Sequence, residues 1–515
     1  MTSRMMSEPA SPPAAQQAPT PAFDRRLFLV MSLVWFAQFV CLTADPVVNN
    51  DIWHQMALIR ESRAQGSLLT ADPYAFTPTL PRFIQHEWGA GVIALFVAEH
   101  FGIAGLWLLN YGLELAFTAL LLGFLYRRRA DPRILLLLSP VAVALFVPGF
   151  YSPVRAQGYS FVLMVGLLAF LDLDRHGKRW WIAAWLALLV VWINVHAGFF
   201  AGLGMLGAYA VERAWNRQPF AHLAVALLAS VAVVAINPYG LDYYGYLAEA
   251  LTMRRPRIGE WSPIWLCWPD ALFFAASFLL FAYAAWKKGP RRMEGFLVVL
   301  VTAIAAARAL KMLPIYGIAW AWFVPAHLQD SRLGEALRSI WQRRRLAAMS
   351  FVGAACLWAA ANPISIGGFS LGVPGVPLAG PNGFTYPVGP VDYLREAGFR
   401  GNVATHFGTG AYVLWKLYPD AKVSCDSRYE TAYPSSVVEE NYRLYGAHEG
   451  WQEILRNGKA DVVIVEKAEP LAARLPGLAG WRRVYEDDAH DVYARDGVEL
   501  PLRDRRGERI VGTFP

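Results

Sequence analysis

Residues 44 to 88 read ADPVVNNDIWHQMALIRESRAQGSLLTADPYAFTPTLPRFIQHEW and hold Asp45, Asp51, His54, Asp72, His86 and Glu87. Loops this long between apolar runs tend to be functional. Asp51 opens a helix candidate reaching Gln65, with Ile52, Met56, Ile59 and Arg63 on one face and Gly66 to end it. This helix is expected along the membrane surface. His54 follows Asp51 by one turn on the same side, so a carboxylate and an imidazole could face a common cleft. A carboxylate there could serve as general base toward an acceptor hydroxyl if burial lifts its pKa toward neutrality. The plainer alternatives stay open. Asp51 could cap its helix, with Asn49 and Asn50 making the turn. Asp72, before Pro73, could be a turn residue. Glu87 could complement the dipole of the apolar helix that follows it.

A second group is cationic. Arg155 follows Tyr151-Ser152-Pro153 at a span end, and Arg308 and Lys311 sit in or against apolar runs. Ionisable residues at membrane depth are costly and point to function, and Arg and Lys at one level suit an anionic headgroup such as a lipid phosphate or diphosphate. Each could instead snorkel to the interface. Arg254, Arg255 and Arg257 are weaker candidates, and the neighbouring Glu260 could pair with them. Asn194 and His196 join two spans with almost no loop, so both must face protein or water. Asn237-Pro-Tyr-Gly240 reads as a turn. Near the C-terminus, Asp426 and Arg428 follow a predicted strand, where a ligand site and a local salt bridge are both open.

These residues need a scaffold, and composition describes it. The 515 residues are 56% hydrophobic and 17% charged, against about 25% charged in an ordinary soluble domain. Twenty Trp, 22 Tyr and 29 Phe suit interfacial aromatic belts. Four cysteines without a C-x-x-C pair signal neither zinc nor a disulfide framework. Apolar runs able to span recur near 27–43, 104–126, 133–150, 156–173, 180–196, 198–214, 220–237, 270–286, 293–308, 312–328 and 346–362. The short run 88–101 reads instead as a half-buried helix in the first outside loop. With eleven spans the two ends lie on opposite sides. Inside segments then carry 21 Lys and Arg and outside segments nine before residue 363, as the positive-inside rule requires. The +7 net charge follows topology, and nucleic-acid binding has no support.

The expected organisation is a disordered cytoplasmic tail at 1–24 and a membrane domain at 25–362 with a large first outside loop at 44–103. A linker at 363–390, a small soluble α/β domain at 391–498 and a charged tail at 499–515 follow. The α/β domain alternates strands predicted near 402–405, 422–425, 461–465, 483–485 and 491–494 with short helices.

The order Asp51-Ile-Trp-His54, Asp72-Pro-Tyr-Ala-Phe-Thr77, His86-Glu-Trp88 resembles a widespread set of bacterial membrane proteins with D-x-W-W-H, D-P-F-S-F-T and H-E-W motifs and no settled activity. Asn194-Val-His196, Asn237-Pro-Tyr-Gly240, Glu260-Trp-Ser-Pro263 and Gly410-Ala-Tyr-Val-Leu-Trp415 also resemble that set. Its layout is similar to the GT-C superfamily of integral membrane glycosyltransferases. The resemblance implies a GT-C-like core in a bacterial inner membrane, with the C-terminal domain on the periplasmic or extracellular side. It implies sugar transfer from a polyprenyl-phosphate donor to a lipid or glycan acceptor among membrane lipids. Asp51 would match the acidic position of the first loop, as catalytic residue. His54 and Glu87 would join it in the cleft. His86, Asp72, Arg155, Asn194, His196, Glu260, Arg308 and Lys311 would bind substrate. Many relatives carry two adjacent acidic residues. Here Ile52 takes the second place, which weakens a metal-dependent version: no cofactor or metal ligand is assigned, and a divalent metal is left open. A transporter of lipids or solutes, or a non-catalytic envelope scaffold acting through the C-terminal domain, is the alternative.

Overall fold

The computed structural model describes residues 23–253, 255, 258–373 and 385–515. Most of the N-terminal tail, Arg254, Arg257 and residues 374–384 of the linker lie outside the described residues. Each of the eleven apolar segments is helical. Six helices are long and apolar enough to cross a membrane: Arg25–Thr43, Trp88–Arg127, Pro132–Gly149, Gln157–Arg175, Asp270–Lys288 and Arg345–Ser365. Trp181–Val195, Ala221–Val233 and Phe296–Arg308 are apolar but shorter. Local chemistry starts several of them. Asp24 accepts from the Leu27 amide at 3.0 Å, and Asp131 caps a helix with Pro132 in its first turn. Leu313–Gln329 is buried almost all round and forms the centre of the bundle. Leu29, Leu33, Leu108, Leu228, Leu279 and Leu357 stand exposed on outward faces, as a lipid-facing surface requires.

The helix Trp88–Arg127 breaks at Gly102 (φ 59°, ψ −151°), a backbone region essentially restricted to glycine. The short 88–101 segment thus meets the longer apolar segment at an angle.

The C-terminal part holds one six-stranded sheet: β1 (Gly401–Ala404), β2 (Ala421–Val423), β3 (Val462–Glu466), β4 (Trp481–Glu486), β5 (His490–Arg495) and β6 (Arg503–Asp504). Their order is β2-β1-β3-β5-β4-β6. β1 runs parallel to β2 and β3; β5 runs antiparallel to β3 and β4; β6 runs parallel to β4. The last residues, expected to trail as a charged tail, contribute β6 and lay Phe514 against Trp53 at 5.9 Å between ring centroids.

The helix Asp51–Gln65 also differs from expectation. Expected along the membrane surface, it is enclosed by protein. Ile52, Trp53, Met56, Ala57 and Leu58 are all fully buried, because the helix is clamped between the start of Trp88–Arg127 and the domain helix Gly410–Leu417. Trp53 meets Tyr386 and Tyr412 edge-on at 5.8 and 5.2 Å. The loop then extends the sheet: Val423 donates to the Tyr74 carbonyl at 2.9 Å, and the Phe76 amide to the Val423 carbonyl at 3.1 Å. First loop and C-terminal domain share one hydrophobic core, and burying each large side chain there contributes about 1.5–3 kcal/mol.

Gly102→Ala places a Cβ where the backbone disfavours one, although no neighbour crowds it. A loss of about 1–3 kcal/mol is expected. Thermal unfolding of the detergent-purified variant beside wild type measures it, and an unchanged melting temperature refutes the strain argument.

Candidate active site

The short segments between helix ends bring most of the sequence candidates together. Asp51 begins its helix with its amide held by Asn49 Oδ1 at 2.9 Å. The N-cap residue is Asn50, which makes no side-chain cap hydrogen bond. The Asp51 carboxylate instead faces Arg155 Nη2 at 3.5 Å. Arg155 stands after the Val147–Gly149 turn and also donates to Glu260 through Nη1 at 2.9 Å and Nη2 at 3.4 Å. Lys311 Nζ reaches the same carboxylate at 2.6 Å. Asp51, Arg155, Glu260 and Lys311 thus form one chain of alternating charge from four distant parts of the sequence. Burial alone would raise the Glu260 pKa, but Lys311 and Arg155 outweigh it and hold the carboxyl below its usual range.

Glu87 is the centre of a neighbouring cluster. It accepts from Gln55 Nε2 at 2.5 Å and lies 3.4 Å from His196 Nε2 and 3.5 Å from His86 Nε2. Burial raises its pKa, and His86, His196 and His54 together outweigh it, leaving the carboxyl below its usual range. His196 Nδ1 accepts from the Gly198 amide at 2.9 Å and touches Ser160 Oγ at 2.7 Å. Its proton therefore sits on Nε2, toward Glu87. Burial pushes the His196 pKa down to about 3, so this imidazole is a neutral donor. His86 Nδ1 pairs with the Tyr246 hydroxyl at 2.8 Å. His54 Nδ1 lies 3.1 Å from Ser427 Oγ of the C-terminal domain, and burial lowers its pKa despite Asp51 nearby. Close approach depends on Gly89: a Cβ there would fall 2.5 Å from the Asn194 carbonyl oxygen.

Three candidates fall elsewhere. Asp72 pairs with Arg428, whose guanidinium also holds Asp426 at 2.6 Å, in an ion cluster buried between loop and domain. The salt-bridge reading of Asp426 and Arg428 applies, with Asp72 as an added member. Asn194 spends its side chain on the protein, accepting from Trp88 Nε1 at 3.0 Å and donating to the Val190 and Ile236 carbonyls at 2.8 and 3.0 Å. Arg308 is exposed, and among the described residues no ion pair joins it to the cluster. Sequence reading missed Gln55, Ser160, Tyr246 and Ser427. Gln55 had a signal, one turn beyond Asp51 on the same helix. The others come from distant segments and had none.

The three carboxylates are not equivalent. Glu87 is wrapped by donors, and Glu260 has two close cations. Asp51 has one ion pair among the described residues, at 3.5 Å. It is the carboxylate with lone pairs to spare for an incoming hydroxyl. Lys311 spends one short bond on Glu260 and has further N–H groups for an anion. Among the described residues no group of three His, Cys, Asp or Glu side chains converges to hold an ion, and the guanidinium of Arg155 occupies the space between Asp51 and Glu260.

No family model matches the sequence, and no curated protein matches it. Among solved structures the chain is similar to the apo crystal structure of the Archaeoglobus fulgidus oligosaccharyltransferase. That match covers 93% of this chain and 76% of that one at 13% identity, with a TM-score of 0.54. It is also similar to apo ArnT from Cupriavidus metallidurans, over 91% of this chain and 97% of that one, at 14% identity and a TM-score of 0.50. The likeness shows a shared fold.

The neutral His196 carries a pH signature. The unfolded chain takes up a proton here below about pH 6.5, which the folded chain refuses until about pH 3. Stability is therefore complete above that window and falls as pH drops through it. His196→Gln should remove about 2 kcal/mol of the stability lost between pH 7 and pH 5. Denaturation at the two pH values measures it, and a slope equal to wild type contradicts the buried neutral imidazole.

Proposed function

We propose that this chain is a membrane glycosyltransferase that moves a sugar from a polyprenyl-phosphate donor to a hydroxyl of a lipid or glycan acceptor at the outer face of a bacterial inner membrane. The observation that carries this reading is the convergence, at one end of a GT-C-like bundle, of a lightly engaged carboxylate with two buried-to-half-buried cations. The fold likeness to an oligosaccharyltransferase and to ArnT supports the same reaction class.

In this reading Asp51 accepts the proton of the acceptor hydroxyl as its oxygen attacks the anomeric carbon of the donor. The bond from that carbon to the phosphate oxygen breaks, and the phosphate leaves on its lipid with the electron pair. Arg155 and Lys311 stabilise the charge that grows on the leaving group. Glu260 keeps both cations paired while the donor is absent and is the group that the phosphate must share them with. Glu87, fixed by Gln55 and His196, holds the orientation of the loop and the polar wall of the cleft. His54 and His86 line it.

The test uses cells lacking the protein, with envelope glycans and glycolipids profiled by mass spectrometry. Wild type and Asp51→Asn, matched for membrane abundance, are each returned. One product should lose the mass of a sugar in the deletion, return with wild type and fall at least a hundredfold with Asp51→Asn. Full restoration by Asp51→Asn removes the transferase reading and favours transport or scaffolding.

A further inference from the structure

The helices that begin or end at the Asp51 cluster have opposite ends, and those ends enclose a second cavity. Gln157–Arg175 starts beside Arg155 and runs 19 residues, about 28 Å at 1.5 Å per residue. Its far end supplies Asp172 and Arg175. Trp88–Arg127 ends there with Arg127, Phe199–Trp215 with Glu212 and Arg213, and the segment before Phe296–Arg308 brings Arg291, Arg292 and Glu294. Together they line an open cavity of about 620 Å³.

Six arginines and three carboxylates face it. The carboxylates are spent. Asp172 pairs with Arg128 at 2.9 Å, and Glu294 is shared by Arg128 and Arg175. Glu212 accepts the Gly295 and Leu297 amides, both at 2.9 Å, at the start of Phe296–Arg308. That leaves Arg127, Arg213, Arg291 and Arg292 without an ion pair among the described residues. Arg213 Nε, buried from solvent, has no hydrogen-bond partner there. The positive-inside rule explains arginines at this end of the helices. It does not explain a walled cavity whose acids are consumed in its floor while its guanidinium donors are left over. Guanidinium groups present paired N–H donors that match phosphate oxygens.

We propose that this cavity binds a phosphate group, carried either by a lipid of the facing leaflet or by a soluble phosphate ester, about one bundle length away from the Asp51 cluster. Arg213 and Arg292 are its principal ligands, and the Arg128–Glu294–Arg175 floor keeps them spread.

The test uses the full chain purified in neutral detergent and placed in nanodiscs. Binding of phosphatidylglycerol against a phosphatidylcholine background is read by native mass spectrometry, and inorganic pyrophosphate is titrated against the detergent form. One saturable phosphatidylglycerol, at least tenfold tighter than phosphatidylcholine, assigns a lipid source. Saturable pyrophosphate binding without lipid preference assigns a soluble source. In either case Arg213→Gln with Arg292→Gln should weaken binding at least tenfold, whereas Lys178→Gln, outside the cavity lining, should leave it unchanged. Wild type that binds neither probe, or the paired variant binding as wild type, overturns the proposal. Arg292→Gln alone, expected to weaken binding about threefold, keeps the test decisive if the paired variant does not fold.

Discussion

Glu260, held between Arg155 and Lys311, is the constraint on which the polar end of this protein depends. Charges drawn out of water are destabilising unless they are paired and hydrogen-bonded. Here Glu260 neutralises two cations that would otherwise repel each other in a medium of low dielectric. The two contacts also bind together the turn after Pro132–Gly149, the segment before Asp270–Lys288 and the link between Phe296–Arg308 and Leu313–Gln329. The helix ends cannot move independently, and Arg155 is left aimed at Asp51.

A second set of contacts keeps Asp51 in front of that group. Its helix is locked by apolar packing on both sides, with Trp53 fully buried among aromatics of the C-terminal part. The buried Asp72–Arg428–Asp426 cluster and the strand-like pairing of Tyr74 and Phe76 with Val423 hold the loop to the sheet. The C-terminal domain is therefore part of the site's architecture: it supplies Ser427 to His54 and the wall against which the first loop is built. The difference among the three carboxylates follows from this packing. Glu87 and Glu260 have several close partners, and Asp51 has a single long ion pair among the described residues.

Much of this was legible in the sequence because apolar length and cation placement are strong signals. The apolar segments, the separation of 88–101 from the span after it and the strand–helix alternation of the last hundred residues could all be read locally. Asp51, His54, Glu87, Arg155, His196, Glu260 and Lys311 could also be singled out locally as charged or polar groups near span ends, and the fold brings them together. What could not be read was pairing across the chain. Pairing of Glu260 with Arg254, Arg255 or Arg257 was the local alternative, whereas its ion pairs with Arg155 and Lys311 are set by tertiary packing. The Asp51–Gln65 helix was expected along the membrane surface, since nothing local announces that a domain more than three hundred residues later will cover it. Ser160, Ser427 and Tyr246 carry no local sign of the imidazoles they meet.

In the proposed function the cations beside Glu260 seat the donor's phosphate. The most direct measurement is the affinity of the purified protein in nanodiscs for polyprenyl phosphate, wild type against Lys311→Gln, with thermal stability recorded for both. Among the described residues Lys311 pairs with Glu260 alone, and Arg155 still holds that carboxylate in the variant, so the variant should fold. At least tenfold weaker binding, about 1.4 kcal/mol, is the result the account expects. Equal affinity in two equally stable proteins would contradict it.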